Sequence, residues 1–229
     1  WMGQYVTKGA GSGVIVGADG YIMTNNHVID NASKITVTLK NGTSYDATLV
    51  GTDTLTDVAV VKIKASGLTT AEIGNSDDLV VGDLALAIGN PLGELGGTAT
   101  AGIISALDRE LSIEGKTMSL LQTDASINPG NSGGGLFNQY GQLIGLVVAK
   151  SSGSGVEGLG FAIPVNTAYK MADEIMKNGY VTGRAAMGIT LLDLSDAMDA
   201  ARYGVDRTGV YVVSADNTNA KTAGFQSGD

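Results

Sequence analysis

The sequence contains no cysteine and a single histidine, His27. The lack of cysteine excludes disulfide bonds, thiol catalysis and cysteine-ligated metal sites. With only one histidine, we expect no zinc site, and we expect no other metal or cofactor. Aromatic residues make up only 5% of the chain. A carbohydrate-binding β-sandwich therefore lacks the aromatic platform that it would need.

Basic residues are outnumbered, because 14 Lys and Arg stand against 23 Asp and Glu and give a net charge of −9. Phosphate binding requires a basic face, so we expect no nucleic-acid partner. No apolar run reaches the length of a membrane-spanning helix, and the first residues do not have the pattern of a signal peptide. The 229 residues fit one large or two small domains, and hydrophobic residues make up 43% of the chain, enough for a sizeable core.

Glycine is abundant, with 34 residues, and residues 128–135 (NPGNSGGG) concentrate it around Ser132. Glycine allows backbone conformations that other residues avoid. A nucleophilic serine needs such a turn, with its hydroxyl in a cleft and nearby N–H groups directed at an oxyanion. The N–H groups of Gly130 and Ser132, with Asn131 between them, are the candidates for this oxyanion hole. A plain glycine-rich loop between two strands is the alternative.

A serine hydroxyl needs an adjacent base, usually imidazole, and His27 is the one imidazole in the chain. An acidic residue would then orient the ring and stabilise its charged form. Asp57 is the best candidate, because it stands at the head of an apolar strand, where burial without a partner is costly. Spacing alone also leaves Asp30, Asp83 and Asp124 open. Alternatively, His27 is a core histidine whose ring is satisfied by hydrogen bonds.

Six motifs occur in one order, at residues 11–16 (GSGVIV), 24–29 (TNNHVI), 56–63 (TDVAVVKI), 88–91 (IGNP), 123–134 (TDASINPGNSGG) and 160–164 (GFAIP). Together they resemble the HtrA (high-temperature requirement, or Deg) family of trypsin-like serine proteases. The resemblance implies that His27, Asp57 and Ser132 form a catalytic triad, and it selects Asp57 among the aspartates.

The resemblance also implies a substrate pocket. Ser126, six residues before the nucleophile, provides no carboxylate to pair with a substrate Lys or Arg. We therefore expect cleavage after small or medium aliphatic residues. The wall opposite the nucleophile segment is expected to pair with the substrate backbone. The implied substrate-binding residues are Ile127, Asn128, Val147, Val148 and Lys150.

Asn131 stands where digestive trypsin-like enzymes carry an aspartate that pairs with a newly cut N-terminus. A newly cut N-terminus would therefore find no carboxylate to pair with here. HtrA relatives carry the same asparagine. Residues 89–102 and 151–160 are glycine-rich and have little to hold them rigid. We expect an inactive resting state in equilibrium with an ordered active state that bound peptide favours.

Strand and turn signals predict an all-β fold. Asp19-Gly20 and Asn41-Gly42 separate apolar runs and favour hairpins, and residues 34–40 alternate as in a half-buried strand. The resemblance implies two six-stranded antiparallel β-barrels of the chymotrypsin type, with the site in the cleft between them. Residues 164–179 predict a closing helix with Asn166 as N-cap and Gly179 just past its end.

We expect a protease domain over residues 1–180 and the N-terminal part of an incomplete PDZ domain over residues 185–229. In the second, Met187, Gly188 and Ile189 match the loop that receives a peptide C-terminal carboxylate through backbone N–H groups. A short helix over residues 196–203 is expected there, with Ser195 as its cap.

By resemblance, the substrates are unfolded or misfolded polypeptides hydrolysed in protein quality control and the stress response, and peptide C-termini are further partners. Trp1 and Tyr5 are expected to pack in a homotrimer. The expected location is extracytoplasmic, in a bacterial cell envelope. Because the sequence starts at Trp1 rather than Met, we expect it to belong to a longer protein, attached to the membrane only through an anchor outside this sequence. The alternative is a non-catalytic chaperone or PDZ-based scaffold on the same fold.

Overall fold

The computed structural model describes residues 9–90, 97–113, 116–148, 159–184 and 187–229. The chain divides into two compact units, with the boundary between Thr182 and Gly183. The first unit contains two β-sheets and the second a two-stranded sheet. Among the residues that the structure describes, no helix combines the length and apolar character needed to cross a membrane.

The first sheet is antiparallel throughout and has the strand order β1-β2-β5-β4-β3. Residues in β3 alternate between half-buried and exposed, as the sequence pattern predicts. A short helix, α1 (Asn26–Ile29), follows β2 directly. The strands are β1 (Val14–Ile15), β2 (Tyr21–Asn25), β3 (Ile35–Thr38), β4 (Ser44–Asp53) and β5 (Val58–Ile63).

The second sheet contains seven strands in the order β10-β7-β8-β9-β12-β11-β6. They are β6 (Glu72–Ile73), β7 (Leu84–Gly89), β8 (Thr98–Ile113), β9 (Lys116–Thr123), β10 (Gly135–Phe137), β11 (Gln142–Val148) and β12 (Gly160–Pro164). An additional pairing of β10 with β11 closes six of these strands into a barrel. The second six-stranded barrel is therefore confirmed.

The predicted six strands of the first half are five in the structure. The sixth strand along the chain, β6, pairs in parallel with β11 and so joins the other sheet. This pair is also an exception to the predicted antiparallel arrangement. A two-residue strand is too short to show a pattern of alternating apolar and polar residues. The sequence therefore does not indicate which strand it pairs with, and long-range contacts determine the sheet that it joins.

Helix α2 (Val165–Asn178) joins the two sheets through apolar packing. Its buried side chains share one core cluster with Val58 and Val60 of β5 and Leu143 and Leu146 of β11. The helix face that enters this cluster consists of Val165, Ala168, Met171, Ala172 and Ile175.

The two ends of α2 match the sequence predictions differently. Gly179 lies at the C-terminal end with φ +82°, as predicted, and its N–H donates to Ile175 O. The prediction of Asn166 as N-cap is wrong, because Pro164 takes that position. The Asn166 carboxamide instead accepts from the Ser76 N–H at 3.3 Å and donates to Asn75 Oδ1 at 2.6 Å. A tertiary contact therefore uses the side chain that local sequence suggests for capping.

The second unit contains β13 (Ile189–Leu194) paired antiparallel with β14 (Gly209–Ala215), together with α3 (Ala197–Arg202) and α4 (Thr218–Thr222). The prediction of Ser195 as the α3 cap is wrong. Asp196 caps the helix, because its carboxylate accepts from the N–H groups of residues 198 and 199 at 2.8 and 2.7 Å. A carboxylate also places negative charge at the helix N-terminus, where it is favoured. The PDZ assignment stays a prediction.

Candidate active site

A histidine and an aspartate meet at one end of the first sheet. His27 lies in α1, immediately after β2, and Asp57 immediately precedes β5, the strand paired with β2. His27 Nδ1 lies 2.6 Å from Asp57 Oδ2, and the His27 backbone N–H donates to Asp57 Oδ1 at 2.9 Å. The carboxylate therefore holds both the ring and the main chain. This contact assigns the imidazole proton to Nδ1 and leaves Nε2 as the basic nitrogen.

The turn before β5 fixes the aspartate. Asp57 has a positive φ of +57°, a conformation that aspartate tolerates better than most residues. The Asp53 carboxylate accepts from the Thr56 N–H at 3.2 Å and from the Thr56 hydroxyl at 2.5 Å. The Asp57 carbonyl accepts from the Asn26 N–H at 3.0 Å. Local hydrogen bonds therefore determine where the Asp57 carboxylate points.

The other three candidate aspartates have different partners. Asp30 accepts from the Asn31 side chain, Asp83 from the Val80 N–H, and Asp124 from the Ile103 N–H at 2.7 Å. The side chains of His27 and Asp57 are only 18% and 13% exposed, so water screens their interaction less than it screens a surface pair. The geometry thus distinguishes Asp57 from its alternatives.

Ser132 lies in the connection between β9 and β10, just after a tight turn. The Asn131 N–H donates to Asn128 O at 3.0 Å, and Gly130 has φ +98°. A positive φ at the third position with Pro129 at the second matches a type II turn. Glycine is therefore required at position 130 by the backbone itself. Ser132 is 7% exposed.

The segment after the turn is tied to the barrel by main-chain hydrogen bonds. The Gly133 N–H donates to Val147 O at 3.0 Å, and the Val147 N–H donates to Gly134 O at 2.8 Å. The Gly134 N–H donates to Asn131 O at 2.8 Å. These bonds hold the backbone on both sides of Ser132.

Close packing brings the serine segment against the strand that leads to His27. A Cβ at Gly133, where φ is +80°, would overlap Thr24 Oγ1 and Ser12 O. The Ser12 N–H donates to Ser132 O at 2.8 Å. Because Thr24 lies in β2, two residues before α1, the absence of a side chain at Gly133 allows the two halves of the site to approach.

Asn131 is buried, with 3% of its surface exposed. Its Oδ1 is enclosed without a hydrogen-bond partner among the described protein atoms. A Cβ at Gly89 would lie 2.6 Å from this oxygen and 3.0 Å from Asn131 Cα. An aspartate here would therefore place a charge in a tightly enclosed position.

The predicted substrate residues fall into two groups. Ile127 is half-buried and packs against the apolar cluster that contains Val147, and a Cβ at Gly160 would lie 2.5 Å from its Cγ1. Asn128 is exposed, and its carbonyl accepts from Asn131 in the turn. These residues adjoin the nucleophile segment, and their role in binding substrate stays a prediction.

Val147 and Val148 differ from the prediction. Both side chains are only 1% exposed and belong to the core. The prediction that the Val147 backbone pairs with substrate is wrong, because its N–H and carbonyl already bond to Gly134 and Gly133. The alternation of buried and exposed residues cannot reveal this pairing, since β11 is buried on both faces. Lys150, Trp1 and Tyr5 lie outside the described residues, as do residues 91–96 and 151–158 of the two glycine-rich segments.

The predicted carboxylate loop lies in the second unit. Met187 is 61% exposed, and Gly188 has φ +67°. The Gly188 carbonyl accepts from the Asp216 N–H at 2.7 Å, and Ile189 begins β13. Across the described ranges, no cluster of acidic or histidine side chains could hold a metal ion.

Sequence reasoning did not identify the residues that support the site. They are Ser12, Thr24, Asn25 and Asp53, and each donates or accepts a hydrogen bond that fixes a catalytic segment. Ser12, Thr24 and Asn25 lie inside two of the recognised motifs, so the motif positions carried the available signal. The partners of Ser12, Thr24 and Asn25 lie 12 to 118 positions away in the sequence, which is why these contacts were not predicted.

Residues 11–146 match the trypsin-like peptidase domain family, and the closed barrel, the histidine–aspartate pair and the glycine-flanked serine are features of that class. The chain is 44% identical to the serine protease Do-like HtrB of Bacillus subtilis, covering 95% of this chain and 51% of that protein. It is 44% identical to the periplasmic pH-dependent serine endoprotease DegQ of Escherichia coli, covering 97% and 49%. The solved structure of the HtrA-type protease AlgW with a tripeptide superposes with a TM-score of 0.71 at 40% identity, covering 96% and 73%.

The chain therefore belongs to the HtrA family of trypsin-like serine proteases. It spans about half the length of the two bacterial relatives, as the coverage of 51% and 49% gives.

Proposed function

We propose that this protein is a serine endopeptidase that hydrolyses peptide bonds through an acyl-enzyme. The observation that carries the proposal is the Asp57 carboxylate, which bonds to His27 Nδ1 at 2.6 Å and to the His27 main chain at 2.9 Å. A carboxylate in this arrangement holds the imidazole in the tautomer that a general base needs.

The reaction begins at the Ser132 hydroxyl. His27 Nε2 takes its proton as Oγ attacks the scissile carbonyl, and Asp57 stabilises the resulting imidazolium. The N–H groups of Gly130 and Ser132 stabilise the tetrahedral oxyanion, and a lost donor of this kind costs about 3–4 kcal/mol. The intermediate expels the amine, which receives the proton from His27. Water then attacks the acyl-enzyme, with His27 again acting as base, and restores Ser132.

The specificity pocket is proposed to prefer small and medium aliphatic side chains. Ile127 packs against the apolar cluster that contains Val147, and a side chain at Gly160 would overlap it. Ser126 offers no carboxylate for a substrate cation. Mapping cleavage sites in an unfolded protein tests this assignment: cuts after Val, Ala or Leu are expected, and dominant cuts after Lys or Arg would refute it.

One of the matching relatives is named a periplasmic endoprotease. Another, an HtrA-type protease, was solved with a tripeptide. By likeness we propose unfolded polypeptides as substrates, a homotrimeric assembly and an extracytoplasmic location. We likewise propose a protease domain over residues 1–180 and a partial PDZ domain over residues 185–229, in which Met187, Gly188 and Ile189 receive a peptide carboxylate. By the same likeness, we propose roles in protein quality control and the stress response.

The turn at Pro129-Gly130 supports a two-state proposal. Glycine adopts either sign of φ at low cost, so the peptide between these residues can turn between type I and type II arrangements. A substrate peptide that binds one arrangement better shifts the population toward it. Sigmoidal initial rates, with phosphonate labelling accelerated by a non-cleavable peptide, are expected. Hyperbolic rates with labelling indifferent to such a peptide would leave this proposal without support.

Digestion of casein by the wild type, Ser132→Ala and His27→Ala tests the main proposal against a non-catalytic chaperone. Both variants should lose digestion while keeping the wild-type melting temperature within a few degrees, because triad members act as a unit. Suppression of aggregation of a thermally unfolded protein is measured in the same samples. Wild-type digestion rates in either variant would overturn the protease assignment, and retained suppression without any digestion in the wild type would favour the chaperone.

A further inference from the structure

The hydroxyl of Ser12 connects three segments around the nucleophile. Its Oγ donates to Gly130 O at 2.6 Å and accepts from the Asn90 N–H at 2.8 Å. A serine hydroxyl has one proton, so donation to the carbonyl leaves its lone pairs for Asn90. The two bonds form a chain from the end of β7, through Ser12, to the turn before Ser132.

The main chain of the same residue is fixed independently. The Ser12 N–H donates to Ser132 O at 2.8 Å, and Ser12 O accepts from Thr24 Oγ1 at 2.7 Å. The residue is half-buried, and its Oγ would lie 3.0 Å from a Cβ at Gly89. The backbone that carries the hydroxyl is therefore held in place by bonds in which the hydroxyl takes no part.

The carbonyl that Ser12 binds belongs to the peptide between the two proposed oxyanion donors. That peptide joins Gly130 to Asn131, and its N–H is already held by Asn128 O at 3.0 Å. With the carbonyl bound at one end and the N–H at the other, the peptide plane has one orientation. The N–H of Ser132 follows this peptide by one residue, so the orientation of the peptide constrains that donor directly, whereas the N–H of Gly130 belongs to the preceding Pro129–Gly130 peptide.

We propose that Ser12 is a positioning residue for the oxyanion hole. Its hydroxyl fixes the Gly130–Asn131 peptide, so the Ser132 N–H is directed before substrate arrives and the Gly130 N–H converges with it when the Pro129–Gly130 peptide is in the type II arrangement. Such preorganisation matters because the donors act on charge that develops only in the transition state. The inference rests on the proposed endopeptidase function, since it assigns a role within that site.

Removing the hydroxyl should therefore affect turnover more than substrate binding. For Ser12→Ala we expect kcat on a peptide substrate to fall about 10- to 100-fold, with KM within about twofold of the wild type. A peptide aldehyde, which forms a tetrahedral adduct on Ser132, should lose affinity by a similar factor. The acidic limb of the kcat/KM profile should not move, because the contacts of His27 are unchanged.

Two further variants keep the test decisive if alanine impairs folding. Ser12→Thr retains a hydroxyl and should recover most of kcat, whereas Ser12→Cys keeps the size of the side chain with a weaker donor and should give an intermediate value. Ser76→Ala is the matched control, because Ser76 is likewise shielded from solvent, being buried where Ser12 is half-buried, and its hydroxyl accepts from the Asn166 N–H at 3.2 Å, in the contact with α2. It should lower the melting temperature without changing kcat.

The outcomes separate this inference from the proposed function. Wild-type kcat and aldehyde affinity in Ser12→Ala or Ser12→Cys would overturn the positioning role, as would a loss of kcat that Ser76→Ala reproduces at equal melting temperature. Either result leaves the protease intact if the wild type digests casein and Ser132→Ala does not. Undiminished digestion by Ser132→Ala would instead remove the proposed function, and the positioning role with it.

Discussion

The two sides of the site are built by different means. On the base side, in the first sheet, side chains make the decisive contacts: the Asp57 carboxylate holds His27 at 2.6 Å, and Asp53 fixes the preceding turn. On the nucleophile side, the main chain makes most of them, through the hydrogen bonds of Gly133 and Gly134 with β11, and the Ser12 hydroxyl adds one from a side chain. The base side thus depends on particular functional groups.

The nucleophile side depends on missing side chains. A Cβ at Gly133 would overlap Thr24 and Ser12, and one at Gly89 would press on Asn131. Substitutions of these glycines should therefore act first on stability. On the base side, a substitution that keeps the shape but changes the chemistry should act first on turnover.

Asp57→Asn is expected to have the largest effect. An amide can still accept from the His27 main chain, but it no longer favours the proton on Nδ1, so Nε2 loses its role as base. We expect kcat to fall about 10,000-fold with the fold preserved. Peptide hydrolysis measures kcat, and thermal unfolding measures stability. A variant that keeps a tenth of the wild-type kcat would contradict the claim that the base side depends on this carboxylate.

Gly133→Ala should mainly reduce stability. A positive φ costs about 1–2 kcal/mol for a residue with Cβ, and forced overpacking adds about 1–3 kcal/mol. Gly141→Ala is the matched control, because Gly141 has φ +78° but nothing within 4 Å of an added Cβ. Urea unfolding should show a clearly greater loss for Gly133→Ala. Equal losses would mean that close packing at Gly133 does not hold the two sides together.

Asn131→Asp should reduce stability in a pH-dependent manner, by about 1–3 kcal/mol at neutral pH. Burial disfavours the charged carboxylate and raises its pKa in the folded state. No penalty is expected below the unfolded pKa near 3.9. The penalty grows as the pH rises toward the folded pKa and is constant above it. Asn41→Asp, at an exposed turn, serves as control; a flat difference between the variants across pH would contradict the enclosed position.

Asp19→Asn should have the smallest effect and provides a baseline for ion pairs of the first sheet. A hydrogen bond from Lys62 Nζ, at 2.7 Å, holds the pKa of the Asp19 carboxyl below its usual range. A lowered folded pKa contributes stability above the unfolded pKa, and that stability is lost as the pH falls through the folded pKa. We expect a slight decrease in melting temperature at neutral pH that disappears in acid, with kcat unchanged. A change in kcat would show that exposed ion pairs also affect the side of the site that contains His27 and Asp57.

Local signals in the sequence predicted much of the framework. The alternation of residues 34–40 became β3, and Gly179 ends α2 in the left-handed conformation. The order of the motifs predicted the second barrel, and Asp57 proved to be the aspartate beside His27. These features are determined by residues that are near in sequence or by motifs that are unusually specific.

The features that were not predicted depend on distant partners. Strand β6 joins the second sheet because it pairs with β11, about 70 positions later, as Gln142 and Glu72 show. Asn166 contacts Ser76 instead of capping α2. The backbone of Val147 bonds to the serine segment rather than to substrate. Composition and spacing contain no information about such contacts, since each is decided by how whole elements pack.

The most direct test of the endopeptidase assignment is active-site labelling with a serine-directed peptidyl phosphonate, followed by mapping of the modified residue by mass spectrometry. The proposed site predicts one modified residue, Ser132, with labelling that slows as the pH is lowered because His27 must be neutral to act as base. Asp57→Asn should slow labelling strongly, while Gly141→Ala should leave it unchanged. Labelling of another serine, or labelling of Ser132 that is indifferent to both pH and Asp57→Asn, would contradict the account.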